Sequence, residues 1–211
     1  MQIKPKKSLG QNFLIDENIL KKICDAGNVD KTNSIVEIGP GTGNLTKYLI
    51  KKNPKNIFLV EKDKYFCEIL NNEFKSKVKI INDDILKIQN KIINIDNVII
   101  FGNLPYNIST KILISLIKNI EDKNLQKMVL MFQKEVADRI VAKTNSKEYG
   151  RLSVIAQWKM HIEKMTDISP ECFFPKPKVK STVLIFKPIK NYFKIKNIKN
   201  LEHITNVFFN A

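Results

Sequence analysis

Cysteine is scarce in this sequence. Cys24, Cys67 and Cys172 are three, widely spaced and without a CxxC pair, among 211 residues. That argues against a disulfide framework and against a structural zinc site, and leaves the thiols as buried or incidental. Histidine and tryptophan are rarer still. His161 and His203 have no ligand-like neighbours, so no catalytic role is assigned to them, and Trp158 is expected in the core. No apolar run approaches the ~20 residues of a membrane span. The basic stretch Met1–Gly10 is not followed by the apolar segment of a secretory signal. Arginine is nearly missing: only Arg139 and Arg151 stand among 36 basic residues, the rest being lysine. Acidic residues number only 21, so the formal charge is +15.

What is present follows from that imbalance. A field of this sign attracts polyanions, either nucleic acid or an acidic membrane surface. The chain is also rich in Ile and Asn, and a compositional drift of the genome would raise Lys in the same way. Charge alone therefore leaves a plain basic surface equally open. With 43% hydrophobic and 27% charged residues the chain fits a globular protein, long enough to bury a core without staples. No internal repeat is evident.

Short apolar runs alternate with helical periodicities. Asp16 is a candidate N-cap for a helix over Glu17–Ala26. Strands are expected at Ser34–Gly39, Ile57–Glu61, Val78–Ile81, Asn97–Gly102 and Lys127–Phe132. Helices are expected after Asn44, around Tyr65–Phe74 and Thr110–Lys118, over Lys134–Lys143 and over 151–160. Two closing strands follow at 161–168 and 180–187. The prolines between them, in SPECFFPKPKV, predict irregular backbone, and residues 1–15 read as an irregular basic arm. The pattern predicts an α/β fold: parallel βαβ units in one doubly wound sheet, buried on both faces. From about Asn191 the chain is basic and turns helical.

The first strand runs into Glu37-Ile38-Gly39-Pro40-Gly41-Thr42-Gly43. Glycines here let the backbone bend tightly and approach a ligand. The spacing matches neither a dinucleotide fingerprint nor a Walker loop, and alone it could be only a tight turn. Glu61 ends the second strand, where a carboxylate can accept both hydroxyls of a ribose. Asp84 follows the third, where it can accept the amine of an adenine. The plainer alternatives are a solvated loop charge for Glu61 and a helix cap for Asp84. Gly39, Gly41, Glu61, Lys62, Asp84 and Ile85 form the candidate nucleoside-cofactor set.

The fourth strand ends in Asn103-Leu104-Pro105-Tyr106. Pro105 stiffens the segment and keeps Leu104 extended, so that its carbonyl can face a ligand. The Asn103 amide oxygen is an acceptor, and Tyr106 offers a flat face for a base. Two acceptors on the hydrogens of an aromatic amine would draw its lone pair out of the ring. The nitrogen could then attack a sulfonium methyl placed in line. A turn with a packed tyrosine is the alternative.

Six ordered motifs carry a resemblance. They are KSLGQNFLID (Lys7–Asp16), EIGPGTGNLT (Glu37–Thr46), NLPYNIST (Asn103–Thr110), QKEVADRIVA (Gln133–Ala142), YGRLSVIAQ (Tyr149–Gln157) and FFPKPKVKS (Phe173–Ser181). Together, over about residues 5–190, the chain resembles the bacterial small-subunit ribosomal RNA adenine dimethyltransferases, whose loss gives kasugamycin resistance. The resemblance implies a class I methyltransferase Rossmann-like domain over 1–190. It also implies the beginning of a helical C-terminal subdomain over 191–211, which in the family runs for several more helices. It implies S-adenosylmethionine as cofactor and, as partner, small-subunit rRNA in the immature subunit. The activity implied is dimethylation of two adjacent adenosines near the 3′ end of that RNA. A cytoplasmic location, a monomer, no metal and no membrane are expected. By matching motifs, Asn12 and Leu14 help enclose the cofactor, Gly39 lines its methionine part, and Asn103 serves both cofactor and target amine. Tyr106 stacks on the flipped adenine from one side and Phe173 closes the other, whereas Phe174 is expected to pack. Lys4, Lys6, Lys7 and the KPKVK run at 176–180 are candidate phosphate contacts. The large-subunit, erythromycin-resistance type is the nearest rival. A catalytically idle assembly factor and a small-molecule methyltransferase are the others.

Overall fold

The structure is a computed structural model that describes residues 10–119 and 124–209. Lys4, Lys6 and Lys7 lie outside the described residues. The chain enters through a two-residue strand, β1 (Phe13–Leu14), and Asp16 then caps helix α1 (Glu17–Ala26) by accepting the Ile19 N–H at 2.9 Å. At the other end of α1, the Lys127 ammonium donates to the carbonyls of Ala26 and Gly27 at 2.9 and 3.2 Å. Cations are favoured there because the last carbonyls lack helical partners.

Three strand–helix repeats follow. They are β2 (Ser34–Ile38) with α2 (Asn44–Lys51), β3 (Asn56–Glu61) with α3 (Lys64–Phe74), and β4 (Lys79–Asn82) with α4 (Ile85–Ile93). α4 has no counterpart among the elements expected above. Its Ile85, Ile88 and Ile92 are all buried, at the spacing of one helical face. The second half contains β5 (Val98–Asn103), α5 (Ser109–Asn119), β6 (Leu125–Gln133), α6 (Lys134–Ile140), α7 (Arg151–Lys159), β7 (Met160–Ile168), β8 (Phe173–Phe174), β9 (Ser181–Pro188) and α8 (Ile198–Phe209).

Seven strands form one sheet in the order β4-β3-β2-β5-β6-β9-β7. The first five are parallel. β9 inserts between β6 and β7 and runs antiparallel to both. Along β5 the side chains alternate between two cores, as pleating requires. Val98 and Ile100 pack with Ile112, Leu113 and Leu116 of α5, while Ile99 and Phe101 pack with Leu20 of α1, Leu49 of α2 and Leu70 of α3. Helices therefore cover both faces, as expected of a doubly wound sheet.

Two segments read as irregular carry short regular structure. Phe13–Leu14 pairs antiparallel with Phe173–Phe174, and Pro170–Cys172 forms a 3-10 turn. Proline is tolerated there because the first turn needs no donor. α6 ends at Ile140, three residues short of the expected end. Trp158 is half-buried rather than a core residue. Its indole N–H donates to the Phe193 carbonyl at 2.7 Å and its ring meets Tyr192 edge-on. Among the described residues no helix is long and apolar enough to cross a membrane.

Candidate functional site

The chain builds outward from β2 to β3 to β4, then returns to place β5 on the other side of β2. The loops leaving β2 and β5 part in opposite directions at that switch, which opens a crevice at the carboxyl ends of the strands. A cavity of about 200 Å³ lies there. Gly39, Gly41, Glu61, Lys62, Asp84 and Ile85 all line it, and so do Asn103, Leu104, Pro105 and Tyr106. Asn12 lines it from the N-terminal segment.

The floor is the glycine loop. Gly39 and Gly41 have φ of 65° and 54°, a region disfavoured for any residue with a Cβ. A Cβ at Gly39 would meet only the Asn103 carbonyl oxygen, at 3.8 Å, so it would stand in the space between the two motifs. One at Gly41 would lie 2.7 and 2.8 Å from ring carbons of Phe13. Gly41→Ala is expected to lose about 1–3 kcal/mol of stability through strain and overpacking. A denaturant midpoint would register this, and a calorimetric titration would show weaker cofactor binding.

Glu61 is the last residue of β3 and is buried. Its Oε2 accepts the Gly41 N–H at 3.1 Å and its Oε1 the Asp63 N–H at 2.8 Å. A carboxylate has about four acceptor sites, so Glu61 retains acceptor capacity for a ligand. Burial raises its pKa, opposed by the N–H groups of Asp63, Gly41 and Lys62. Asp84 does two things at once. It caps α4, its Oδ1 accepting the Leu86 N–H at 3.0 Å, and its Oδ2 accepts from the Lys62 ammonium at 3.0 Å. Burial works against its charge, but Leu86 and Lys62 outweigh that and hold the carboxyl below its ordinary range. Asp83 lies beside it on the cavity wall.

Across the cavity, Asn103 ends β5. Its Nδ2 donates to the Asn12 carbonyl at 2.7 Å. Only the nitrogen can donate, so this bond fixes the amide orientation and leaves Oδ1 as an acceptor. Asn12 is held in turn because its segment is strapped down. Asn44 Nδ2 donates to the Leu14 carbonyl at 2.8 Å, and the Ile15 N–H to the Cys172 carbonyl at 2.8 Å. Leu14 lines a smaller space of about 40 Å³ behind the loop, together with Glu37, Gly39 and Asn103. Tyr106 is half-buried, and its phenol oxygen lies 2.6 Å from Ser181 Oγ.

Phe173 is the expected site residue that the structure does not bring to either cavity. It is 3% exposed and packs in the core beside Leu14, whereas Phe174 is 52% exposed. Phe174, expected to pack, is instead the exposed ring of the pair. Pairing with β1 sets which face of β8 turns inward, and adjacent residues of a strand must face opposite ways.

Two residues at the site escape sequence reasoning. Glu37 is 3% exposed, and its Oε2 accepts the Thr46 hydroxyl at 2.7 Å. Burial, with a smaller push from Glu61, raises its pKa to about 7. A lone acid inside an apolar strand was its signal. Ser181 had none.

The fold and this crevice are those of a class I, S-adenosylmethionine-dependent methyltransferase. A dimethyladenosine transferase from Plasmodium falciparum superposes with a TM-score of 0.82 at 26% identity, over 94% of this chain and 71% of its own. The 23S rRNA methyltransferase ErmE shares the fold, with a TM-score of 0.71 at 18% identity over 92% and 76%. The model of the ribosomal RNA adenine dimethylase family matches residues 2–211. A ribosomal RNA small subunit methyltransferase A from Pelagibacter ubique (strain HTCC1062) is 51% identical over 211 residues, 99% of this chain and 80% of its own length. The chain belongs to the ribosomal RNA adenine dimethylase family.

Proposed function

We propose that this enzyme dimethylates the exocyclic amines of two adjacent adenosines near the 3′ end of small-subunit rRNA. The carrying observation is one cavity that joins a glycine loop and strand-end carboxylates to Asn103–Tyr106. The residues suit S-adenosylmethionine. The space beside Gly39 that a Cβ would enter admits its methionine part, the spare lone pairs of Glu61 suit ribose hydroxyls, and ionised Asp84 suits an adenine amine. Asn12 closes the cofactor side, with Gly41, Lys62 and Ile85 lining it, while Leu14 backs the glycine loop from the smaller space behind it. When bound, the cofactor supplies an electrophilic methyl on a sulfonium.

The protein's own groups then act on the target amine. Asn103 Oδ1 and the Leu104 carbonyl accept its two N–H groups and draw the lone pair out of conjugation. The nitrogen becomes cationic as it takes a methyl, the bonding pair of the methyl–sulfur bond staying with the sulfur, and the same two oxygens stabilise that charge until its proton passes to water. The monomethylated amine keeps one N–H, so one acceptor suffices to align the second transfer. Tyr106 supports the base, which must leave its stack to expose the amine. No metal and no covalent enzyme intermediate enters this scheme.

Residues 1–190 would form the catalytic domain and 191–211 the beginning of a helical subdomain. In support, α8 reaches the body through Arg151 to Asn206 at 3.1 Å and through the Tyr149 and Phe209 rings, while Ile204, Val207 and Phe208 face outward. The net charge of +15 suits the RNA of the immature small subunit as substrate, and self-repulsion suits a monomer as the working form; such a substrate would place the enzyme in the cytoplasm. The test is transfer of a labelled methyl from S-adenosylmethionine to under-methylated small subunits, with the modified nucleoside identified. Dimethyladenosine near the 3′ end is the expected product. Tight subunit binding without any transfer would favour an idle assembly factor instead. Capture insensitive to salt would favour a small-molecule substrate.

A further inference from the structure

Ser181 lies 75 residues from Tyr106 in sequence, yet their hydroxyls meet at 2.6 Å. Ser181 opens β9, where it is fully buried and pairs on one side with Gln133 of β6 and on the other with Ile168 of β7. Backbone held between two strands is among the stiffest in a fold. Tyr106, by contrast, stands in the loop after β5, half-buried on the cavity wall.

We infer that Ser181 is a positioning residue for the target base, holding the Tyr106 ring in place through its hydroxyl. This rests on the proposed role of Tyr106 as the platform for the base. The phenol oxygen lies on the axis about which the ring rotates. A bond there pins the far end of the ring and selects its χ1 direction, while packing sets the tilt. Pro105 stiffens the near end. The ring is thus held at both ends, and the base that rests on it keeps its amine at a constant distance from Asn103 and Leu104. A platform free to swing would lose that alignment and with it the gain from proximity. Burial, opposed by the Ser181 hydroxyl, holds the Tyr106 phenol above its ordinary pKa, and either hydroxyl can donate in the pair. The geometry also gives a purpose to the last residue of FFPKPKVKS, which no other contact at the site explains.

A purely structural hydroxyl pair would affect stability and nothing else. The test therefore compares Tyr106→Phe, Ser181→Ala and the double variant in steady-state kinetics. It also follows the fluorescence of 2-aminopurine placed at one target adenine, which stacking quenches. Each single change is expected to lower kcat about tenfold, the worth of one hydrogen bond. The KM for the cofactor should hold, and the double variant should be no worse than either single one. Quenching should fall equally in all three. Wild-type kcat and quenching in Tyr106→Phe would overturn the inference, as would two losses that multiply. If Ser181→Ala does not fold, Tyr106→Phe decides by the same two readouts. Tyr106→Ala separates the underlying role. Full activity there removes the platform itself, whereas loss there with Tyr106→Phe unaffected keeps the platform and removes Ser181 from it.

Discussion

Asn103→Ala is expected to lower methyl transfer by about 10²–10³-fold at saturating RNA and cofactor, the usual loss when one preorganised polar group is removed from the reacting centre. The loss should fall on kcat, because Oδ1 acts on the amine only as its lone pair leaves the ring. The same change removes the 2.7 Å bond from Nδ2 to the Asn12 carbonyl. That carbonyl is half-buried, and its strap is still held by Asn44 and Cys172, so stability should fall by only about 1 kcal/mol. Single-turnover rates alongside a denaturant titration separate the two effects. A variant that transfers methyl normally would remove Asn103 from the chemistry. A variant that merely unfolds would make it a structural tie.

The second large effect concerns Glu37, a carboxyl sealed inside β2 with a pKa of about 7 against an ordinary value of 4.5. A raised pKa in the folded state means that the folded protein binds the proton more tightly than the unfolded chain does. The stabilisation that this provides is complete below about pH 4.5. It is lost as pH rises to about 7, and little changes above that. Glu37→Gln removes the titration while keeping an oxygen for the Thr46 hydroxyl. The variant should exceed the wild type in stability by up to about 3 kcal/mol at pH 8, and the difference should vanish towards pH 4.5. Denaturant midpoints at pH 4.5, 6 and 8 check this. A constant difference across that range would show that Glu37 does not titrate there.

Much of this molecule is local. Asp16 announces α1 because a short carboxylate before an apolar period satisfies a free N–H, and it does so. Val98-Ile99-Ile100-Phe101 announces a strand covered on both faces because no polar side chain interrupts it. The nucleotide-like character of the crevice was legible too. A glycine turn, Glu61, Asp84 and Asn103 each sit at the end of an apolar run, and parallel strands bring such ends to one edge. α4 could have been found the same way, from Asp84 and the spacing of Ile85, Ile88 and Ile92.

What the sequence determined by itself was therefore the fold class, the edge of the sheet where the crevice opens, most of the residues that line it and the family the motifs resemble. All of these rest on residue type and short spacing. The tertiary structure decided the rest, because it depends on which distant segments meet. KSTVLIFK reads as a buried strand wherever it is placed, and only long-range pairing inserts it between β6 and β7 and so carries Ser181 to Tyr106. Two adjacent phenylalanines are equivalent until a partner strand chooses a face. Pairing of Leu14 with Phe173 turns that ring into the core and leaves Phe174 in solvent. The acid in SIVEI is visible in one dimension. Its pKa of about 7 arises only when the sheet closes over it and Thr46 and Glu61 become its neighbours.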